Sequence, residues 1–89
     1  MQSRTTQRFR ERYAELPNKV KKRAQKSYRL WKNNPQHPSL NFKKVHPTDP
    51  VYSARVGLNY RVVGLKRDDG MVWFWIGPHD EYERLLDQL

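Results

Sequence analysis

A change of period divides this chain near residue 35. Before it, apolar residues recur at helical spacing; after it, they recur every second residue between turn signals. The two periods demand different elements, about 3.6 residues per turn for a helix and 2 for a strand. A fold of this chain must therefore set a helical front half against a sheet-forming back half. Phe9, Tyr13 and Leu16 lie at i, i+4, i+7 and predict a helix over residues 3–16. Val20, Ala24, Ser27, Tyr28 and Trp31 predict a second helix over 17–33, with Pro17 tolerated in its first turn. The segment "NNP" (33–35) stops it, because a residue before proline avoids the helical region.

Four strands are then expected: "LNFKKV" (40–45), "VYSARV" (51–56), "YRVVGLKR" (60–67) and "MVWFWIG" (71–77). Short connections separate them, among them "DDG" (68–70), whose Asp and Gly accept the positive φ of a hairpin turn. Successive hairpins imply antiparallel pairing. Tyr82, Leu85, Leu86 and Leu89 mark one face of a last short helix, and Asp80 and Glu81 suit its positive N-terminal end. The expectation is an α+β fold: an N-terminal helical hairpin packed on a four-stranded antiparallel sheet, with a short C-terminal helix. With 89 residues, no repeat and no linker, one domain spanning 1–89 is expected. Three Trp, five Tyr and three Phe give that small core large side chains to bury.

Charge narrows the classes of partner. Eighteen Lys plus Arg oppose nine Asp plus Glu, for a formal net charge of +9 and an isoelectric point near 10.2. That is the electrostatic footprint of a nucleic-acid partner, with an acidic protein or simple charging for solubility as the alternatives. Absence of cysteine excludes disulfides and thiolate metal sites and suits a reducing compartment. No apolar run is long enough to span a membrane, and "MQSRTTQRFRERY" lacks the apolar middle of a secretory signal, so a cytoplasmic protein is expected. His37, His46 and His79 are scattered and form no HxxxH or HExxH spacing, so neither a metal nor a cofactor is expected.

Alternation places candidate residues on the sheet. Ala54, Val56, Val62, Phe74 and Ile76 make a core face, and Arg55 and Arg61 rise from the other beside Trp73 or Trp75. The first three strands contain no acid to pair with these arginines. Unpaired guanidiniums suit phosphate, whose geometry their planar fork matches. Lys43 and Lys44 occupy opposite faces, so one of them joins that side. His79 stands at the end of the fourth strand, and His46 follows the first. Trp73 or Trp75 is a candidate platform for stacking a base, against the alternative of burial in the core. On the second helix Lys22, Lys26 and Arg29 belong to a cationic face fit for a polyanion, or simply for solvent.

The order of elements, with "LNFKKVH", "VYSARVGLNYRVVG" and "WFWIGPHDEYERLL", resembles the RelE/ParE superfamily of toxins from bacterial type II toxin–antitoxin systems. The likeness covers nearly the whole chain. Its signature is a basic residue on the second strand, G-x-x-Y-R on the third, and a strand ending I-G-x-H before a short helix with tyrosine. Resemblance to the RelE-like branch implies an mRNA endoribonuclease acting in the ribosome, needing no metal and inhibited by a cognate antitoxin protein. The ParE-like branch implies instead a DNA gyrase inhibitor without hydrolysis. On the RelE-like reading Arg55 and Arg61 bind phosphate, His79 occupies the catalytic position after the last strand, and Tyr82 lies near the family's tyrosine. Lys43, Lys44 and His46 would add charge or a proton-transfer group. Two departures stand out: Ser53 occupies a position often basic, and Asp87 a position where some relatives carry the tyrosine. The apolar stripe of the last helix offers Tyr82 a core role as the alternative.

Overall fold

The computed structural model describes residues 2–89. Its elements are β1 (Gln2–Thr5), α1 (Gln7–Ala14), α2 (Asn18–Asn33), a 3-10 turn at Pro38–Leu40, β2 (Lys43–Lys44), β3 (Val51–Val56), β4 (Tyr60–Arg67), β5 (Gly70–Pro78) and α3 (His79–Gln88). One five-stranded sheet runs β1-β5-β4-β3-β2. The α+β class, the hairpin of α1 and α2, the three long strands and the last helix agree with expectation.

The first difference is at the N-terminus. Residues 2–5 form a strand rather than the start of a helix, and β1 pairs in parallel with β5, so the sheet is mixed. The edge of β5 would otherwise leave its backbone groups without partners, and β1 supplies them. Gly70 permits the approach: a Cβ there would stand 2.6 Å from the Gln2 carbonyl oxygen. The helix then starts at Thr6, whose hydroxyl accepts from the Phe9 N–H at 3.1 Å as an N-cap. Four polar residues carry no strand periodicity, so only the neighbour makes them a strand. The second difference is at residues 40–45, where only Lys43 and Lys44 pair. Pro38–Leu40 coil into a 3-10 turn and Asn41 takes a left-handed conformation (φ 45°), which ends regular structure before the strand starts.

Helices cover both faces of the sheet. On the hairpin side Trp31 meets Ala54, Met71 and Trp73, with Phe9 and Phe42 at the margin. On the other side Tyr82, Leu85 and Leu86 of α3 pack on Val51, Val63 and Trp75. A β-bulge explains why the two tryptophans part company. Val63 pairs with Trp75 and Gly64 with Trp73, leaving Phe74 as the extra residue. Strict alternation predicts Trp73 and Trp75 in one row and Phe74 with Ile76 in the other; the bulge puts Trp73 on the hairpin face and Trp75 and Phe74 on the α3 face. Gly64 makes room for it, since a Cβ would lie 2.8 Å from the Trp73 ring.

Candidate functional site

Where α3 leaves β4 and β3 uncovered, the sheet opens into a polar pocket of about 160 Å³. Arg55, Arg61, His79, Tyr82 and Lys43 line it together with Ser53, Ala54 and Asn41. Arg55 and Arg61 are directly opposite partners in the β3–β4 ladder. Like charges so placed repel. Arg61 is only 8 % exposed. Its Nη1 donates to the carbonyls of Tyr60 at 2.8 Å and Leu58 at 3.2 Å. Among the described residues no carboxylate pairs with it. Burial, reinforced by the neighbouring Arg55 charge and partly offset by the Tyr82 phenol, lowers its pKa from the ordinary arginine value. The guanidinium stays cationic at neutral pH, and the arrangement favours any anion that relieves the repulsion.

His79 is the first residue of α3, behind Pro78. Proline adopts the extended conformation that ends the strand and cannot continue the ladder. The His79 N–H donates to the Asn59 carbonyl at 2.8 Å, fixing the helix start to the β3–β4 turn. Its ring is exposed, with Nε2 3.5 Å from a Glu83 carboxylate oxygen one helical turn on, and its centroid 5.9 Å from that of Tyr82. Tyr82 belongs to the core and also borders the pocket. Its ring is buried against Trp75, and its hydroxyl donates to Ser53 Oγ at 2.9 Å in the pocket wall.

The remaining candidates separate. Lys43 joins the pocket, whereas Lys44 points elsewhere. His46 does not reach it: Nδ1 accepts from the N–H groups of Thr48 and Asp49 at 3.2 and 2.9 Å, and Nε2 bonds to the Leu89 carbonyl, so this histidine caps a turn. Trp73 and Trp75 are each 5 % exposed and neither lines the pocket, which corrects the expected stacking platform. Their large apolar surfaces have more to gain in the two cores. Lys22, Lys26 and Arg29 are exposed on α2, outside the pocket.

Three residues at or behind the pocket have roles that the sequence did not indicate. Asn41 lines it from a left-handed position, which asparagine adopts more readily than most residues, a signal hidden by the strand expected over 40–45. Ser53, buried at 2 %, holds the Tyr82 hydroxyl. Arg12 braces the junction of β5 and α3: Nε donates to the Ile76 carbonyl at 2.7 Å, Nη2 meets Glu81 at 3.2 Å, and the guanidinium lies 4.8 Å from the Trp75 ring centroid. A Cβ at Gly77 would stand 2.7 Å from that Nη2 and 2.8 Å from the Trp75 ring, so glycine lets the brace close.

Comparison with known proteins supports a family assignment. A profile described as the ParE-like toxin domain matches residues 18–84. By sequence alone, no curated protein matches significantly. Among solved structures, the chain is similar to one from the RelB–RelE antitoxin–toxin complex of Methanococcus jannaschii, with TM-score 0.72, 18% identity, and 91% of this chain and 95% of that one covered. It is likewise similar to one from the archaeal RelE–RelB complex of Pyrococcus horikoshii OT3, with TM-score 0.69, 18% identity and coverage of 86% and 92%. YafQ from E. coli strain BL21(DE3) gives TM-score 0.69 at 13% identity, with 91% and 96% covered. At such identities these structures establish the fold. With the profile spanning well over half of the sequence, the chain belongs to the ParE-like toxin domain family, within the RelE/ParE superfamily.

Proposed function

We propose that this protein is the toxin of a toxin–antitoxin pair and acts as a metal-independent mRNA endoribonuclease, cutting ribosome-bound message and so stopping translation. The observation that carries this reading is Arg61: a buried guanidinium with no carboxylate partner among the described residues, facing Arg55 in a pocket with a histidine at its mouth. At about 160 Å³ the pocket is smaller than the ~300–1,000 Å³ typical of sites that enclose a whole small molecule. That suits a grip on one phosphodiester of a passing chain.

The chemistry follows from the groups present. The substrate's 2′-hydroxyl attacks phosphorus, the bond to the 5′-oxygen breaks, and a 2′,3′-cyclic phosphate and a free 5′-hydroxyl result. One proton leaves the 2′-oxygen and one arrives at the 5′-oxygen. His79 takes one of these transfers, since histidine as a residue type titrates near neutrality. Arg61 and Arg55 hold the non-bridging oxygens and stabilise the charge that develops there. Lys43 adds positive charge, and Tyr82 with Ser53 forms the polar wall. The exposed cations of α2, Lys22, Lys26 and Arg29, are assigned to ribosomal RNA by charge. A cognate antitoxin is the expected protein partner, in keeping with the antitoxin–toxin complexes among the similar structures.

Purified protein added to translating ribosomes should cut the mRNA, and the new ends should carry cyclic phosphate. His79→Ala and Arg61→Ala should each lower the rate by about two to four orders of magnitude. Equal cutting by parent and both variants would refute the site. The family profile's ParE-like description favours a second reading, inhibition of DNA gyrase without hydrolysis. Loss of supercoiling activity at stoichiometric protein, with intact mRNA, would select it.

A further inference from the structure

The tip of the β3–β4 hairpin is Gly57, Leu58 and Asn59, which join Val56 to its ladder partner Tyr60. Hairpin tips favour glycine and small polar residues. Leu58 is 80 % exposed, the most exposed large apolar side chain among the described residues. Its backbone is nonetheless fixed. The Leu58 carbonyl accepts from Arg61 Nη1 at 3.2 Å, and the Asn59 carbonyl accepts from the His79 N–H at 2.8 Å. The tip is thus tied to the two residues given the phosphate and proton-transfer roles, which sets it beside the pocket. Its other side meets α2. Gly57 has a φ of 66°, and a Cβ there would stand 3.3 Å from Arg23 Cδ, so the Arg23 side chain lies along the turn. Arg23 is exposed, and among the described residues no carboxylate pairs with it. Lys19 and Lys26, at i−4 and i+3, extend the positive charge along α2. A single bare leucine on a surface is ordinary. A bare leucine on a fixed tip, with a guanidinium on either side, has the makings of a single-strand path, an apolar contact for a base between cations for phosphates.

We propose that this tip is a nucleotide subsite of the polar pocket: the base beside the scissile phosphate packs on Leu58, and the next phosphate along meets Arg23. The inference rests on the reading of the pocket as an RNA phosphate site, and it adds where the strand leaves. The pocket opens on the α3 face of the sheet and Arg23 belongs to the hairpin side, so a strand joining them crosses the tip. RNA fits this path better than an acidic peptide. Cation, apolar side chain and cation follow one another, as phosphate, base and phosphate do along a strand. A base covering Leu58 also removes from water an apolar side chain that the fold leaves in it. Leu58 meets a base and not the reacting atoms, so it acts on binding rather than on the chemical step.

The test uses the full chain and a short 2′-O-methyl RNA, which lacks the nucleophile and cannot be cut, with binding read by fluorescence anisotropy. One base at a time is replaced by an abasic residue. In the parent, loss of one particular base should weaken binding by about tenfold. Leu58→Asn puts a residue that turns favour on an exposed tip and so keeps the fold. It should weaken the intact RNA by about tenfold and show no further loss with the abasic RNA, because both changes remove one contact. Arg23→Gln should lower the salt slope of log affinity by about 0.7, the share of one single-strand phosphate. Full binding by Leu58→Asn, an abasic penalty of equal size in parent and Leu58→Asn, or an unchanged slope in Arg23→Gln would overturn the proposal. Loss of an acidic peptide but not of RNA in Leu58→Asn would also overturn it, by reassigning the tip to a protein partner. Cutting of ribosome-bound mRNA is scored separately. Coupling between Leu58 and a base without cutting keeps the subsite and removes the nuclease reading, whereas cutting without that coupling keeps the nuclease and removes the subsite.

Discussion

Two arginines sit at the two ends of the same structural join, and they are treated oppositely. Arg12 meets a carboxylate, a backbone carbonyl and an indole face. Arg61, more deeply buried, meets two carbonyls and another arginine. The first closes its interactions within the chain and holds α3 against the sheet. The second is left with donors free and a neighbour that repels it. A guanidinium so placed is costly to bury, and on the proposed reading its remaining donors serve a phosphate. The brace fixes the start of α3, and so holds His79 at the rim of the pocket.

Substitution at both ends should separate these roles, with the largest effect on activity. Arg61→Ala should lower RNA cleavage by about two to four orders of magnitude while leaving the melting temperature unchanged or higher, because a buried unpaired charge is removed. Arg12→Ala should do the reverse in its primary effect, lowering stability by about 1–3 kcal/mol through lost charged hydrogen bonds, read by urea denaturation. If Arg61→Ala proves the more destabilising, the contrast fails. Gly77→Ala tests the brace from its other side. The clashes of 2.7 and 2.8 Å predict a loss of about 1–3 kcal/mol, with a shifted near-ultraviolet tryptophan signal as Trp75 moves.

A smaller effect should come from inorganic phosphate. Burial lowers the Arg61 pKa in the folded chain, so folding is penalised wherever the unfolded side chain is protonated. That penalty fades only as pH rises through the lowered folded value, and Arg61 therefore adds no slope to stability between about pH 5 and 8. An anion relieves the penalty instead. At ten times its dissociation constant, phosphate should stabilise the parent by about 1.4 kcal/mol and leave Arg61→Ala unaffected. Equal stabilisation of both would place the anion elsewhere. The smallest expected change is Tyr82→Phe, which keeps the packed ring but strands the Ser53 hydroxyl. It should cost about 1 kcal/mol in thermal unfolding, and much less than Arg61→Ala in cleavage rate.

Legibility in the sequence followed the length of each signal. Helix α2 carries five matches to one helical face, and strands β3 and β4 are bounded by clear turns, so their limits agree with the structure to within a residue. Arg55, Arg61, His79, Tyr82 and Lys43 were all within reach, because alternation on β3 and β4 is regular and the family signature covers the rest. Residues 2–5 were not, since their pairing depends on β5, sixty-odd positions away, and not on any local preference. Trp73 and Trp75 were misplaced by one bulged residue, Phe74, and a period of 2 turns a single inserted residue into a change of face. Arg12 resembled every other cation of its helix until folding brought Glu81 and the Ile76 carbonyl to it.

The sequence by itself determined the two periods, hence helices before strands, and the excess of cations without acids on β2, β3 and the first half of β4. These are properties of near neighbours, which a linear pattern records. Tertiary structure decided which arginine would be partnered and which left bare, where each tryptophan would be buried, and that a glycine would let the brace close. Those outcomes depend on distances between residues far apart in the chain. A difference of one Cβ, or of one residue in register, is enough to reverse them in a core packed without spare room.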